Sequence, residues 1–302
     1  MEKYIEIFLS AFTGYWHNLR TEILFSSNYA PWYKSYFYWL IGLSIIVWVM
    51  ELAAPWRRGQ AVLRKDFWLD GFYLFFNSFL FPLIGYYALS STGVELFNDL
   101  IGIFGMSDIP SIQISQFPKW VQLITMFFLA DFVHWNIHRL LHRSSLLWEF
   151  HKVHHSVKIL GFASHLRFHW METVIYKSLQ YIPLSLIGFG VKDFFTIHLI
   201  ALLIGHLNHA NLKITYGPFK YLLNNPVMHI WHHAKKLPNR YGVNFGISLS
   251  LWDYLFRTAY LPKSGRDIEL GFHHDDLFPQ TFFGQILYPF NKRSHVPERQ
   301  KK

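Results

Sequence analysis

Between His134 and His155 the chain reads HWNIHRLLHRSSLLWEFHKVHH, six histidines in 22 residues. His134, His138 and His142 are four apart and share one face of a helix. His151, His154 and His155 stand at i, i+3 and i+4, again one face, and His229, His232 and His233 repeat that spacing later on. His165, His169, His198, His206 and His209 lie between the two sets, so 14 of the 18 histidines fall between residues 134 and 233. Neutral imidazole is a ligand for iron, zinc, copper and nickel. A helix can offer two such rings to one ion at these spacings. A set of about eight to ten ligands exceeds the roughly four to six that one ion takes, which points to two metals, or to one tight and one loose site.

The surrounding residues narrow the chemistry. The chain has no cysteine, which excludes thiolate ligands, iron–sulfur clusters and disulfides. No HExxH is present, so a zinc protease would lack its general base. The two HxxHH sets contain no carboxylate, unlike the Glu-x-x-His helices of ferritin-like di-iron proteins. Two other classes stay open on the residues alone. One is a membrane metal-binding protein without catalysis. The other is a zinc-dependent hydrolase, whose base would be Glu149 or Glu172, the acidic residues between 132 and 192. His17, His198 and His295 stand alone and read as ordinary polar residues, as do the adjacent His273 and His274. His134 shares the face of His138 but lies deeper in its helix.

The elements that must carry these residues are those of a membrane protein. The chain of 302 residues is 52% hydrophobic and only 16% charged, against about 25% charged for a soluble domain. Its net charge of +9 does not indicate nucleic acid, because the basic residues flank apolar spans and read as topology signals. The N-terminus lacks the pattern of a signal peptide. The fold class expected is an all-α integral membrane protein with about four to five membrane helices, some re-entrant, and a cytoplasmic helical cap carrying a histidine-rich dimetal site. Residues 1–34 form an interfacial segment. Residues 35–119 form a first transmembrane hairpin, with spans at Tyr36–Ala54 and Phe67–Leu89. Residues 120–260 are the histidine-box catalytic domain, entered by a span from Trp120 to about His138 and containing the apolar runs Val174–Gly190 and Phe194–His209. Residues 261–302 are a cytoplasmic tail with a polar, disordered end. The basic loop at 57–65 lies in the cytoplasm and the segment 91–117, without Lys or Arg, on the far side. All the histidine sets then reach the cytoplasmic surface of one membrane, which could be the bacterial inner membrane or the endoplasmic reticulum.

Order, spacing and flanking residues resemble the fatty acid hydroxylase / sterol desaturase superfamily over roughly residues 120–260. The resemblance rests on Asp131-Phe132-Val133-His134-Trp135 running into His138-Arg139-Leu140-Leu141-His142, then Leu147-Trp148-Glu149-Phe150-His151-Lys152-Val153-His154-His155. It continues through His209-Ala210-Asn211, Asn225-Pro226-Val227-Met228-His229-Ile230-Trp231-His232-His233, Asn244-Phe245-Gly246 and Leu251-Trp252-Asp253. It implies a dinuclear centre of two irons (zinc can replace them in a purified sample), dioxygen as co-substrate, and hydroxylation or desaturation of a sterol, fatty acyl or related lipid. His138, His142, His151, His154, His155, His229, His232 and His233 match its boxes and are expected at the catalytic centre. His209 matches a further box, with His206 as its partner, making ten expected metal ligands. His169 and Glu172 resemble the family's His-Pro-x-Glu segment with Trp170 in place of proline, and are expected to support the site or face substrate. Asp131, Glu149, Asn208, Asn211, Asn225 and Asp253 are candidates to orient the imidazoles, and Trp120, Phe127, Phe128 and Phe132 to line the lipid path. Electrons must come from a separate ferredoxin, cytochrome or reductase, which the basic residues Lys235, Lys236 and Arg240 could attract.

Overall fold

The computed structural model describes residues 2–24, 31–82, 91–92, 95–96, 99, 102–103, 114–189, 191–262 and 265–291. Ordered structure among them is helical throughout, apart from two isolated bridges, Leu223–Leu249 and Ala234–Leu270. An exposed apolar stripe, Ile5, Leu9, Phe12 and Trp16, runs along helix α1 (Glu2–Leu24) at helical spacing. Helix α2 (Tyr36–Ala53) is apolar on nearly every face. It buries Leu40, Leu43, Ser44 and Val47 and exposes Ile41, Ile45, Ile46, Val49 and Met50. It is the one helix among the described residues that is long and apolar enough to cross a membrane. Helix α3 (Phe67–Phe75) passes into a π-helical turn, Phe76–Leu80. The rest of the expected second span, and most of 91–117, lie outside the described residues, as does the polar C-terminal end.

The longest helix, α4 (Lys119–Arg143), has 25 residues, about 37 Å of rise. It carries His134, His138 and His142 inward, and that polar face lowers its mean hydropathy. Ser144 breaks it with an extended backbone and then caps helix α5 (Ser145–His155), its Oγ accepting from the Leu147 N–H. Helices α6 (Trp170–Leu186) and α7 (Val191–His209) pack beside α4. Met126 and Ala130 of α4, Leu184 of α6 and Ile197 of α7 meet in one apolar cluster, while Leu202 of α7 joins Leu40 and Leu43 of α2 in another. A short helix α8 (Pro226–His232) opens with Pro226 and with Asn225 Oδ1 accepting from the Met228 N–H. Two further short helices, α9 (Leu251–Leu255) and α10 (Phe282–Leu287), complete the described chain. The histidine-bearing ends of α4, α5, α7 and α8 converge at one end of this bundle, under the loop 243–246.

Candidate metal centre

Nine histidines come together in two groups. His138, His142, His151, His155 and His232 form one; His154, His209, His229 and His233 form the other. Within each group the ligand nitrogens lie within 4.8 Å of one another, and each ring is 6% exposed or less. The i, i+3, i+4 spacing on α5 and α8 splits each set between the groups. Helix α5 gives His151 and His155 to the first and His154 to the second. Helix α8, with the residue after it, gives His232 to the first and His229 and His233 to the second. Helix α4 serves only the first group and α7 only the second.

Hydrogen bonds fix which nitrogen faces inward. His138 Nδ1 donates to the Phe245 carbonyl (2.7 Å), His232 Nδ1 to Val243 (2.8 Å), His154 Nδ1 to Arg167 (3.1 Å) and His209 Nδ1 to Gly205 (2.8 Å). His151 Nδ1 donates to Glu172 Oε2 (2.8 Å). A carbonyl or carboxylate only accepts, so each ring carries its proton on Nδ1 and leaves Nε2 as a bare lone pair. Yet His138 Nε2 stands 3.1 Å from His151 Nε2, and His209 Nε2 stands 3.2 Å from His154 Nε2. Two bare lone pairs facing each other repel. Two nitrogens on one ion at about 2.1 Å stand roughly 3.0–3.4 Å apart when their bond angle is about 90–109°. The donor set therefore fits a shared cation in each group. Burial, with the neighbouring imidazoles adding to it, holds His155, His229 and His233 well below the ordinary imidazole range. Burial pushes His232 down to about 3. Neutral rings are what a metal requires.

Residues 123–258 match the fatty acid hydroxylase family. The chain is 32% identical over 178 residues to an ornithine lipid hydroxylase of Rhizobium tropici, covering 59% of this chain and 53% of the relative. It is 32% identical over 133 residues to the alkylglycerol monooxygenase of Homo sapiens, 43% of this chain and 28% of the relative. It is 26% identical over 140 residues to a very-long-chain aldehyde decarbonylase of Oryza sativa, 43% of this chain and 22% of the relative. The chain thus spans about half the length of the bacterial relative and less of the others. No solved structure matches it.

The other expected residues take other places. His206, expected beside His209, lies in neither group; its ring turns toward α2, with Nε2 3.1 Å from Ser44 Oγ and Nδ1 3.2 Å from His165 Nδ1. His169 donates through Nε2 to the Ile286 carbonyl at 2.9 Å and so fastens α10. Glu172 touches the first group directly, through His151. Asp131 accepts from the backbone of Ser248 and Leu249 and from Trp252 Nε1. Asp253 accepts from Phe245 N, Gly246 N, Trp135 Nε1 and Thr258 Oγ1. Glu149 pairs with Lys152, Asn208 donates to the Ile247 carbonyl, and Asn211 bonds Arg57. Asp131 and Asp253 act one step removed, by holding the loop whose carbonyls orient His138 and His232. Residues to which the sequence reading gave no role do much of this work, Asn244 and Gly205 above all.

A cavity of about 200 Å³ opens beside both groups. His138, His151, His154 and His209 line it together with the apolar Met126, Phe127, Phe194, Ile197 and Leu202.

Proposed function

We propose that this chain is a dioxygen-dependent lipid hydroxylase or desaturase built on two irons. His138, His142, His151, His155 and His232 hold one iron, and His154, His209, His229 and His233 hold the other. The observation that carries this reading is the pair of facing, deprotonated Nε2 contacts, His138–His151 and His154–His209. Proton sharing cannot relieve them while all four rings donate through Nδ1. The names of the relatives, hydroxylases and monooxygenases of lipids, support the same reaction class.

Two irons, when bound, supply the dioxygen activation that an unactivated C–H bond demands and no side chain provides. The protein's own residues do the rest. Glu172 and four backbone carbonyls hold the imidazoles in one tautomer and orientation. The apolar wall of the cavity positions hydrocarbon beside the histidines and keeps water away. A separate ferredoxin, cytochrome or reductase delivers electrons. The chain sits in a membrane, bacterial inner membrane or endoplasmic reticulum, through four to five helices, with the metal centre on the cytoplasmic side. Two features weigh against the other readings. Glu172, whose two oxygens face His151 and the His169 N–H, is committed and makes a poor hydrolytic base. A cavity with an apolar wall at the histidines is superfluous to a metal store.

The test is elemental analysis of detergent-purified protein beside the His154→Ala/His232→Ala double variant. Two irons per chain, lost in the variant, together with reductant-dependent lipid oxidation, is the expected result. Metal-free wild-type protein from iron-supplemented cells would overturn the reading.

A further inference from the structure

The two groups of histidines are aimed from different parts of the chain. The loop 243–246 aims the first, and Asp131 and Asp253, which hold that loop, lie inside the segment 123–258. In the second group His154 donates to the Arg167 carbonyl. The side chains that fix Arg167 come largely from residues 66–77, outside that segment.

Asn77 is buried in the π-helical turn Phe76–Leu80 that follows α3. Such turns often occur at functional sites. Its Nδ2 donates to the Leu166 carbonyl at 3.1 Å and to the Phe168 carbonyl at 2.9 Å. One nitrogen reaching two carbonyls two residues apart puts both on one side of the chain. Arg167, between them, has an extended backbone (φ −79°, ψ 91°). Successive carbonyls of an extended chain face opposite ways, so the Arg167 carbonyl faces away from Asn77. That carbonyl is the one His154 Nδ1 reaches.

The Arg167 side chain is fixed as well. Its Nη1 donates to Asp66 Oδ2 (3.1 Å) and Asp70 Oδ1 (3.2 Å), and its Nη2 to Ser156 Oγ (3.0 Å). Arg64 holds Asp70 in turn. Ser156 ends α5, directly after His155. Asp70 and Arg167 are both 1% exposed or less. A buried charge parted from its partner is strongly destabilising, so the arginine stays where the pair puts it. A carbonyl held at both flanks and through its own side chain keeps its direction.

We infer that Asn77 is a positioning residue for the second metal, assisted by Asp66 and Asp70 through Arg167. It acts by way of the Arg167 carbonyl, which keeps His154 Nδ1 engaged and His154 Nε2 turned toward His209. The inference deepens the two-metal reading and rests on it for what the second group holds. It makes residues 64–80 part of the metal centre, although none of them is a ligand.

The test loads the full, detergent-purified chain with iron, and separately with zinc, and follows each by chelator competition. Zinc reports ligand geometry without oxygen chemistry. Loss of a group that orients a ligand lowers metal affinity about 10- to 100-fold. Asn77→Ala should weaken one of the two metals by that factor and leave the other as in wild type. Asn77→Asp, whose ionised carboxylate donates nothing, should do the same, and it carries the comparison if the alanine variant does not fold. Asp70→Asn should weaken the same metal. Two ligand variants identify which metal that is. On a His142→Ala background Asn77→Ala should weaken the metal that remains; on a His229→Ala background it should leave the remaining metal unchanged. A purely structural role would weaken both metals alike, or lower the melting temperature alone, and either result would overturn the inference. Zinc at two sites but no iron in wild type sinks the oxygenase reading alone. Two irons in wild type, unaffected by Asn77→Ala, sink this inference alone. A wild-type chain that takes up neither metal overturns both.

Discussion

At the scale of single residues, the ligands and the groups that aim them obey different rules. Imidazoles at i, i+3 and i+4 are visible in a sequence because the helix repeat places them on one face. Nine of the ten expected ligands meet in two groups. His206 does not, because three residues before His209 its ring faces Ser44 of α2 instead. The acceptors that fix the rings are mostly backbone carbonyls, of Phe245, Val243, Arg167 and Gly205. Every residue has a carbonyl, so nothing in the sequence marks these four. Glu172 is the side-chain acceptor among them, and it makes a sharp test. Glu172→Ala removes the partner of His151 Nδ1 and frees the ring to turn. Metal affinity, measured by chelator competition, should fall about 10- to 100-fold. Glu172→Gln keeps an oxygen that can accept and should lose less. If Glu172→Ala held metal as wild type does, the bond to His151 would have no part in the site.

At the scale of elements, the sequence showed that helices were needed but not how closely they would approach. Gly205 lies inside α7, where glycine is the poorer choice by about 1 kcal/mol against alanine. It stays small because His165 packs flat on it: a methyl there would overlap the His165 ring. Gly205→Ala should therefore lower the melting temperature despite the better propensity, and His165→Ala in the same chain should recover much of the loss. A higher melting temperature for the single variant would show that the close approach is dispensable. Asn244 governs a second approach. Its backbone has φ 54°, a left-handed conformation that asparagine tolerates better than most residues. Its Nδ2 donates to the Met228 and Tyr260 carbonyls, and its Oδ1 accepts from the Tyr260 N–H. One side chain thereby ties α8 to the loop carrying the Val243 and Phe245 carbonyls. Asn244→Ala should destabilise by about 2–4 kcal/mol, with the loss present in chelator-stripped protein as well. A loss seen only with metal bound would place the effect at the ligands instead.

At the scale of the whole molecule, charge distribution makes a claim that hydropathy alone cannot. Only α2 qualifies as a span by length and composition among the described residues. Helix α4 fails the same test because it turns Gln122, Asp131, His138 and His142 inward, where they are buried. Function and membrane insertion compete for one sequence, and a scale that averages all faces cannot separate them. The surface separates them better. Ile41, Ile45, Ile46 and Val49 of α2, Trp68, Phe72 and Phe75 of α3, and Trp120 and Ile124 of α4 are all exposed, large apolar side chains that water would penalise. The basic loop at 57–65 and the region around Lys235 and Lys236 should then share one side of the membrane, opposite residues 91–117. The absence of native cysteine allows a clean test. Gly59→Cys, Lys236→Cys and Ser107→Cys, each made alone, would be exposed to a membrane-impermeant maleimide in right-side-out cells and in inverted vesicles. Cysteine at 59 and at 236 should label only in inverted vesicles, and cysteine at 107 only in cells. Labelling of 59 and 236 from opposite sides would break the topology. The metal ligands could not then all face the cytoplasm, because Asn211 is hydrogen-bonded to Arg57 in the same loop and joins α7 to it.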